Sequence, residues 1–161
     1  MSFFSKFLGQ GLTPGTPAPE FNLPDQNNQF HSLASYPQKW VLLYFYPRDF
    51  TPGCTKEACS FRDEYSFYRE RGIVLFGVST DSVEKHAEFS KHHQLPFPVL
   101  ADEGGKISEA YEVLLPFGIS NRITYLISPE RKIVKTFKWV AHGDYAKIIQ
   151  RSVEEEISKR P

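Results

Sequence analysis

The sequence contains only two cysteines, Cys54 and Cys59, in 161 residues. Two are too few for the disulfide framework that stands in for a core in small secreted domains, so cysteine count does not fix the compartment. A reducing cytosol, or a plastid stroma after removal of a transit peptide, is the default, and any bond between the two thiols would be transient. Net charge is also missing: Lys+Arg and Asp+Glu are both 19. Nothing electrostatic therefore points to nucleic acid or an anionic membrane as partner. No apolar run approaches the ~20 residues that span a bilayer, so no integral membrane segment is expected. Repeats, low-complexity tracts and linker-like shifts in composition are absent as well. The histidines (His31, His86, His92, His93 and His142) are scattered. With a single cysteine pair at the wrong spacing they do not make a zinc set, and no metal is expected.

What remains is the composition of a packed globule. The length suits one domain with a real core, and aromatics at 15% argue against disorder. The opening "MSFFSKFLGQGL" places Phe3, Phe4, Phe7 and Leu8 on one helical face but is short and interrupted. It reads as a frayed tail over 1–12 ahead of a single domain over 13–161, with docking to lipid or a partner as the alternative.

Residues 13–39, rich in Pro and Asn, read as an extended entry with short strands and turns. "WVLLYFY" (40–46) is a continuous apolar and aromatic run, as in a central strand buried on both faces, and Pro47 ends it. Thr51-Pro52-Gly53 opens a helix expected to run to about Glu70, with Ala58, Phe61, Tyr65 and Tyr68 on one face and Gly72 as the stop. "IVLFGVS" (73–79) reads as a second buried strand. Asp81 reads as the cap of the next helix, "FPVLA" (97–101) as a short strand and "GGKISEAYEV" as a short helix. "RITYLIS" and "KIVKTFKWV" flank the turn Pro129-Glu130-Arg131 as a hairpin. Asp144 is expected to cap a last helix carrying Tyr145, Ile149, Val153 and Ile157. This order predicts an α/β fold: a central mixed sheet flanked by helices, as in the thioredoxin-like fold, with an N-terminal extension.

The stretch "YPRDFTPGCTKEACSF" (46–61) holds both cysteines. They can be small core residues, which fits Cys59 inside an amphipathic helix better than Cys54 at a strand-to-helix junction. They can be metal ligands, which the spacing disfavours. Or Cys54 can be an activated nucleophile. In the first turn of a helix its sulfur faces unpaired N–H groups and the positive end of the dipole, which favour thiolate. Moving a thiol from ~8.5 to ~6 requires roughly 3.4 kcal/mol, and a helix terminus supplies about 1, at most ~2 kcal/mol. A second positive group should therefore stand near the sulfur, and an arginine would also offer forked donors.

The spacing Pro47-x3-Thr51-x2-Cys54 resembles the active-site signature of the peroxiredoxins, thiol peroxidases of thioredoxin-like fold. "LYFYPRDFTPGCTKEACSFRD" is similar to the bacterioferritin-comigratory/peroxiredoxin Q subfamily. The resemblance extends over about residues 14–157. It includes "PGTPAPEFNLPDQNNQFHSL", "LFGVSTDSVEKHAEFSKHHQLPFPVLAD" and "RITYLIS", the last of which nominates Arg122 as the missing cation. The chain departs from the family's pattern at Ile123, where a hydroxyl residue is usual, at Ser128, where Asp is common, and at Glu112, where Gly often follows the Tyr.

The resemblance implies that Cys54 attacks a hydroperoxide, hydrogen peroxide or an organic one, and becomes a sulfenic acid. Thr51 and the Cys54 backbone N–H would hold the peroxide oxygens, Arg122 would stabilise the thiolate and the leaving oxygen, and Pro47 would close the pocket. Glu57 would orient Arg122, with a solvated helix charge as the alternative. Cys59 would resolve the sulfenic acid as a Cys54–Cys59 disulfide that thioredoxin or a glutaredoxin-like dithiol reduces. On an ideal helix residues five apart lie ~8.7 Å apart between Cα atoms, beyond the ~7 Å limit for a bridge, so the first turns would have to unwind. A monomer without tightly bound cofactor is implied. A peroxide sensor relaying oxidation to a partner would use the same residues. Phe50, Phe97 and Phe117 read as core residues, with a pocket widened for organic peroxides as the alternative.

Overall fold

The computed structural model describes residues 8–138 and 145–160. The Pro- and Asn-rich entry forms a small antiparallel ribbon of β1 (Asn22–Pro24) and β2 (Phe30–Ser32). β3 (Val41–Phe45) is buried throughout because its two faces enter two cores. Leu42 and Tyr44 face one, and Val41, Leu43 and Phe45 the other. β4 (Val74–Ser79) and β5 (Val99–Ala101) extend the sheet in parallel from β3. β6 (Ile123–Ile127) and β7 (Ile133–Lys138) extend it antiparallel on the other side, giving the order β5-β4-β3-β6-β7. This is the expected mixed sheet, and its central run is apolar because no face of it meets water.

The single helix expected from Thr51 to about Glu70 is two, α1 (Pro52–Asp63) and α2 (Tyr65–Glu70), divided at Glu64. The break turns the chain so that Phe61, Phe67 and Tyr68 all enter the same core. Gly72 stops α2 in a left-handed conformation, as expected. Asp81 does not cap α3 (Val83–His93); Ser82 does, accepting from the Lys85 N–H. The Asp81 carboxylate instead takes the backbone N–H of Asp49 at 2.8 Å. The short helix α4 (Lys106–Ala110) is followed by Glu112 at φ +57°. That is a left-handed backbone, which glycine enters most readily.

α5 (Tyr145–Ser158) buries Tyr145, Ile149 and Val153 in the core that α1 shares. Asp144, Trp139 and Val140 lie outside the described residues. So do Phe3, Phe4 and Phe7 of the expected tail. Residues 9–12 of that tail are tied to the domain. Gly11 N–H donates to the Glu112 carbonyl, Leu12 N–H to the Tyr125 hydroxyl, and the Leu12 carbonyl accepts from Thr136. Phe97 is core, as expected, whereas Phe50 and Phe117 are 44% and 87% exposed and are not.

Candidate active site

The end of β3 delivers the chain into a six-residue loop, 46–51, that must hold its shape for the first turn of α1 to be placed. A buried polar brace does this. The Tyr46 hydroxyl donates to Asp49 at 2.6 Å, and the other Asp49 oxygen lies 2.5 Å from His86 Nδ1. The far nitrogen of His86 bonds the Leu100 carbonyl on β5, and Asp81 receives the Asp49 N–H. Asp49, Asp81 and His86 are the described residues whose potential metal-ligand atoms cluster, and these bonds commit them to bracing the loop. Sequence reasoning did not single out this brace. Its members are distant in the chain, and no local spacing marks them.

Thr51 stands at the N-cap of α1 with Pro52 in the first turn, where a missing N–H costs nothing. Its hydroxyl makes no capping bond and donates instead to the Arg48 carbonyl at 3.0 Å, within reach of the Cys54 sulfur. The N–H groups of Gly53 and Cys54 precede the first helical bond, from Thr55 N–H to Thr51, and so face out of the helix start.

Arg122, immediately before β6, crosses to this helix start. A Cβ placed on Gly53 would lie 2.6 Å from Arg122 Nη2, so a side chain at 53 would displace the guanidinium from this position. The side chain is 19% exposed, which rules out the reading of a surface cation. Arg122 Nη1 lies 3.6 Å from Glu57 Oε1 one turn along α1. Glu57 is wholly buried, so it is no solvated helix charge. Neither of its carboxylate oxygens accepts a hydrogen bond among the described residues. The separation is within ion-pair range, yet burial outweighs the attraction of Arg122 and pushes the carboxyl up to about 8. Burial thus favours the neutral acid at Glu57, which weakens its hold on the Arg122 charge that also faces Cys54.

Cys54 itself is 1% exposed, whereas Pro47, Thr51, Gly53 and Arg122 are half-buried. The helix start and its cation thus act on a sulfur set deep in the fold. Burial is the largest influence and pushes the thiol above its ordinary value. Bonds from the Thr51 hydroxyl and the Arg48 backbone, together with the Arg122 charge, pull it down but do not win. The sequence supplied the cation and the helix start correctly and could not supply the depth.

Cys59 lies on the same helix but apart from this group. It is half-buried and faces α3, with Sγ 3.7 Å from His93 Nδ1. Both cysteines are free and α1 is intact from Pro52 to Asp63. The structure thus brings Thr51, Cys54, Glu57 and Arg122 together, keeps Pro47 in the loop that leads to them, and holds Cys59 elsewhere.

Residues 14–136 match the model of the AhpC/TSA family. Over 138 residues the chain is 40% identical to "Peroxiredoxin Bcp" of Bacillus subtilis, covering 81% of this chain and 88% of that one. It is 45% identical over 102 residues to "Peroxiredoxin Q, chloroplastic" of Sedum lineare, covering 63% of this chain and 55% of the relative, so it spans about half the length of that protein. Among solved structures, the bacterioferritin comigratory protein of Xanthomonas campestris, a protein with alkyl peroxide reduction activity, superposes with a TM-score of 0.82. Identity is 26%, over 89% of this chain and 99% of that one. The peroxidoxin BcpB of Mycobacterium tuberculosis superposes with a TM-score of 0.81 at 30% identity, over 91% and 98% of the two chains.

Proposed function

Since this chain belongs to the AhpC/TSA family and is a thiol-dependent peroxidase of peroxiredoxin type, we propose that Cys54 is the sulfur that meets the peroxide. The observation that carries this is the approach of Arg122 to the first turn of α1 across Gly53, which sets a fixed positive charge beside the one buried thiol at a helix start.

Pro47, Thr51 and Gly53 part to admit a hydroperoxide. The thiolate of Cys54 attacks the terminal oxygen, so an S–O bond forms as the O–O bond breaks. The leaving hydroxide or alkoxide takes up a proton and departs as water or alcohol. Negative charge moves from sulfur to the leaving oxygen. The Arg48 backbone and the Arg122 guanidinium, beside the sulfur at rest, are placed to follow it, and the Thr51 hydroxyl turns from the Arg48 carbonyl to join them. Burial opposes the resting thiolate, so the same groups that favour it also matter for the charge that moves during the transfer. Pro47 offers no N–H of its own to the pocket.

Cys59 then resolves the sulfenic acid. The unbroken α1 separates the two sulfurs, so its entry through Pro52 and Gly53 unwinds and the Cys54–Cys59 bond closes across the melted turns. Thioredoxin or a glutaredoxin-like dithiol reduces the bridge, and the chain acts as a monomer in the cytosol or stroma. No described helix is long and apolar enough to cross a membrane.

One experiment tests the cycle: hydrogen peroxide with thioredoxin, its reductase and NADPH. The expected result is many equivalents of NADPH consumed per protein, with a peptide map linking Cys54 to Cys59. A single equivalent followed by a mixed disulfide with another protein would instead indicate a sensor.

A further inference from the structure

The resolving step sets a chemical requirement that the peroxide pocket does not meet. A thiol at the ordinary ~8.5 is only about 3% thiolate at pH 7, so a resolving cysteine with a base at hand could react up to about 30-fold faster than one without. Cys59 has a candidate. His93, the last residue of α3, places Nδ1 3.7 Å from Cys59 Sγ, within hydrogen-bonding distance for sulfur. The two residues are 34 apart in sequence, and the contact depends on how α1 and α3 pack.

That packing is anchored. Arg62 of α1 donates to the backbone carbonyl of His93 at 2.9 Å, so the end of α1 that carries Cys59 is fastened to the end of α3. The His93 ring is held by Phe89 and His92 on its own helix and by Phe50 from the loop before α1, at centroid distances of 5.1, 4.7 and 6.3 Å. Unwinding α1 from Pro52 and Gly53 therefore carries Cys54 toward Cys59 and leaves Cys59 beside its histidine.

We propose that His93 is the base that deprotonates Cys59 for attack on the Cys54 sulfenic acid. The proposal rests on the reading of Cys59 as the resolving thiol. The Cys59 S–H proton passes to Nδ1 and the thiolate attacks Cys54 Sγ. The S–S bond forms as the S–O bond breaks, and the departing hydroxide takes the proton back from the imidazolium to leave as water. One disulfide and one water balance the sulfenic acid and the thiol, with no outside oxidant.

The charged and titratable groups facing His93 are Cys59 and Arg62 from α1 and His92 from its own helix. Phe50 and Phe89 bring no charge. Partial burial, then the neighbouring His92 and Arg62, hold the His93 imidazole below its usual value, so it is neutral and able to accept a proton at pH 7.

The test uses rapid mixing with one equivalent of hydrogen peroxide, dimedone trapping of the sulfenic acid and mass spectrometry, across pH 6 to 9. In the wild type, decay of the sulfenic acid should be nearly independent of pH above about 6.5, where a histidine base is free. His93→Phe keeps the ring contacts and loses the nitrogen. It should slow that decay about tenfold at pH 7 relative to formation, and make it climb with pH, as expected of a thiol without a base at hand. His93→Gln should do the same, which separates loss of the base from disturbance by a new phenyl ring. Wild-type decay with a wild-type pH profile in either variant overturns the role of His93. Cys59→Ser tests the reading beneath: persistence of the sulfenic acid supports it, while decay at the wild-type rate removes Cys59 as resolving thiol, and His93 with it.

Discussion

Replacing Arg122 with methionine should lower kcat/KM for hydrogen peroxide by about 100- to 1000-fold, the usual cost of removing a donor aimed at developing charge. Two losses combine. In the resting enzyme the guanidinium is one of the influences that oppose burial at Cys54, so its removal leaves the thiol still further from ionisation. During transfer, the leaving oxygen loses the one full positive charge placed across Gly53. Lysine at 122 should recover only part of the activity, because a single ammonium point charge lacks the fork of donors. Gly53→Ala should reproduce much of the defect without touching the arginine. The added methyl would sit 2.6 Å from Nη2 and push the guanidinium off the helix start. Steady-state kinetics over a range of peroxide concentrations check all three. Wild-type kcat/KM in Arg122→Met would mean that the arginine only packs.

The second large effect is on stability and runs with pH. Glu57 is wholly buried and its folded carboxyl lies at about 8, above the ordinary value of 4.5. Folding therefore accepts the neutral acid and opposes the anion. The stability associated with the protonated form is fully present below about pH 4.5, declines as pH rises and is lost through about pH 8. Each pH unit in that window carries about 1.4 kcal/mol, on the order of 5 kcal/mol in all. Glu57→Gln keeps the shape and cannot ionise. It should match the wild type near pH 4.5 and exceed it increasingly toward pH 8.5, as read by denaturant unfolding of the reduced protein at several pH values. A constant difference between the two proteins across that range would show that Glu57 is already ionised in the fold. A buried acid that costs stability at the working pH, packed against Arg122, is the kind of local conflict found where a site is being shaped for chemistry.

Much of this was legible in the chain. The run 40–46 had to be a strand with no wet face, and Pro47 and Gly72 marked ends that the structure keeps. Thr51, Cys54 and Arg122 were nominated from a spacing and a distant segment, and the fold brings them together. Glu57 could be named but not placed, since one turn along a helix is compatible with water or with a core. Asp81 looked like a cap because it stands next to the real one. What drew it away was a backbone N–H 32 residues upstream, on the loop that positions the site. The depth of Cys54 and the contact between Cys59 and His93 follow from how helices lie against each other, which no periodicity within either helix records. The left-handed turn at Glu112 lay between these cases. Glu112 was named only as a departure from the pattern, and glutamate gives no local sign of that conformation.

The central claim is that a sulfur buried beside Arg122 at the start of α1 is made reactive toward peroxide by its surroundings. The direct measurement is the second-order rate constant of the reduced wild-type protein with hydrogen peroxide at pH 7, by stopped flow, beside free cysteine under the same conditions. A constant at least a thousandfold above that of free cysteine is expected, on the scale of the two to four powers of ten that placed donors contribute. A constant equal to that of free cysteine would contradict the account.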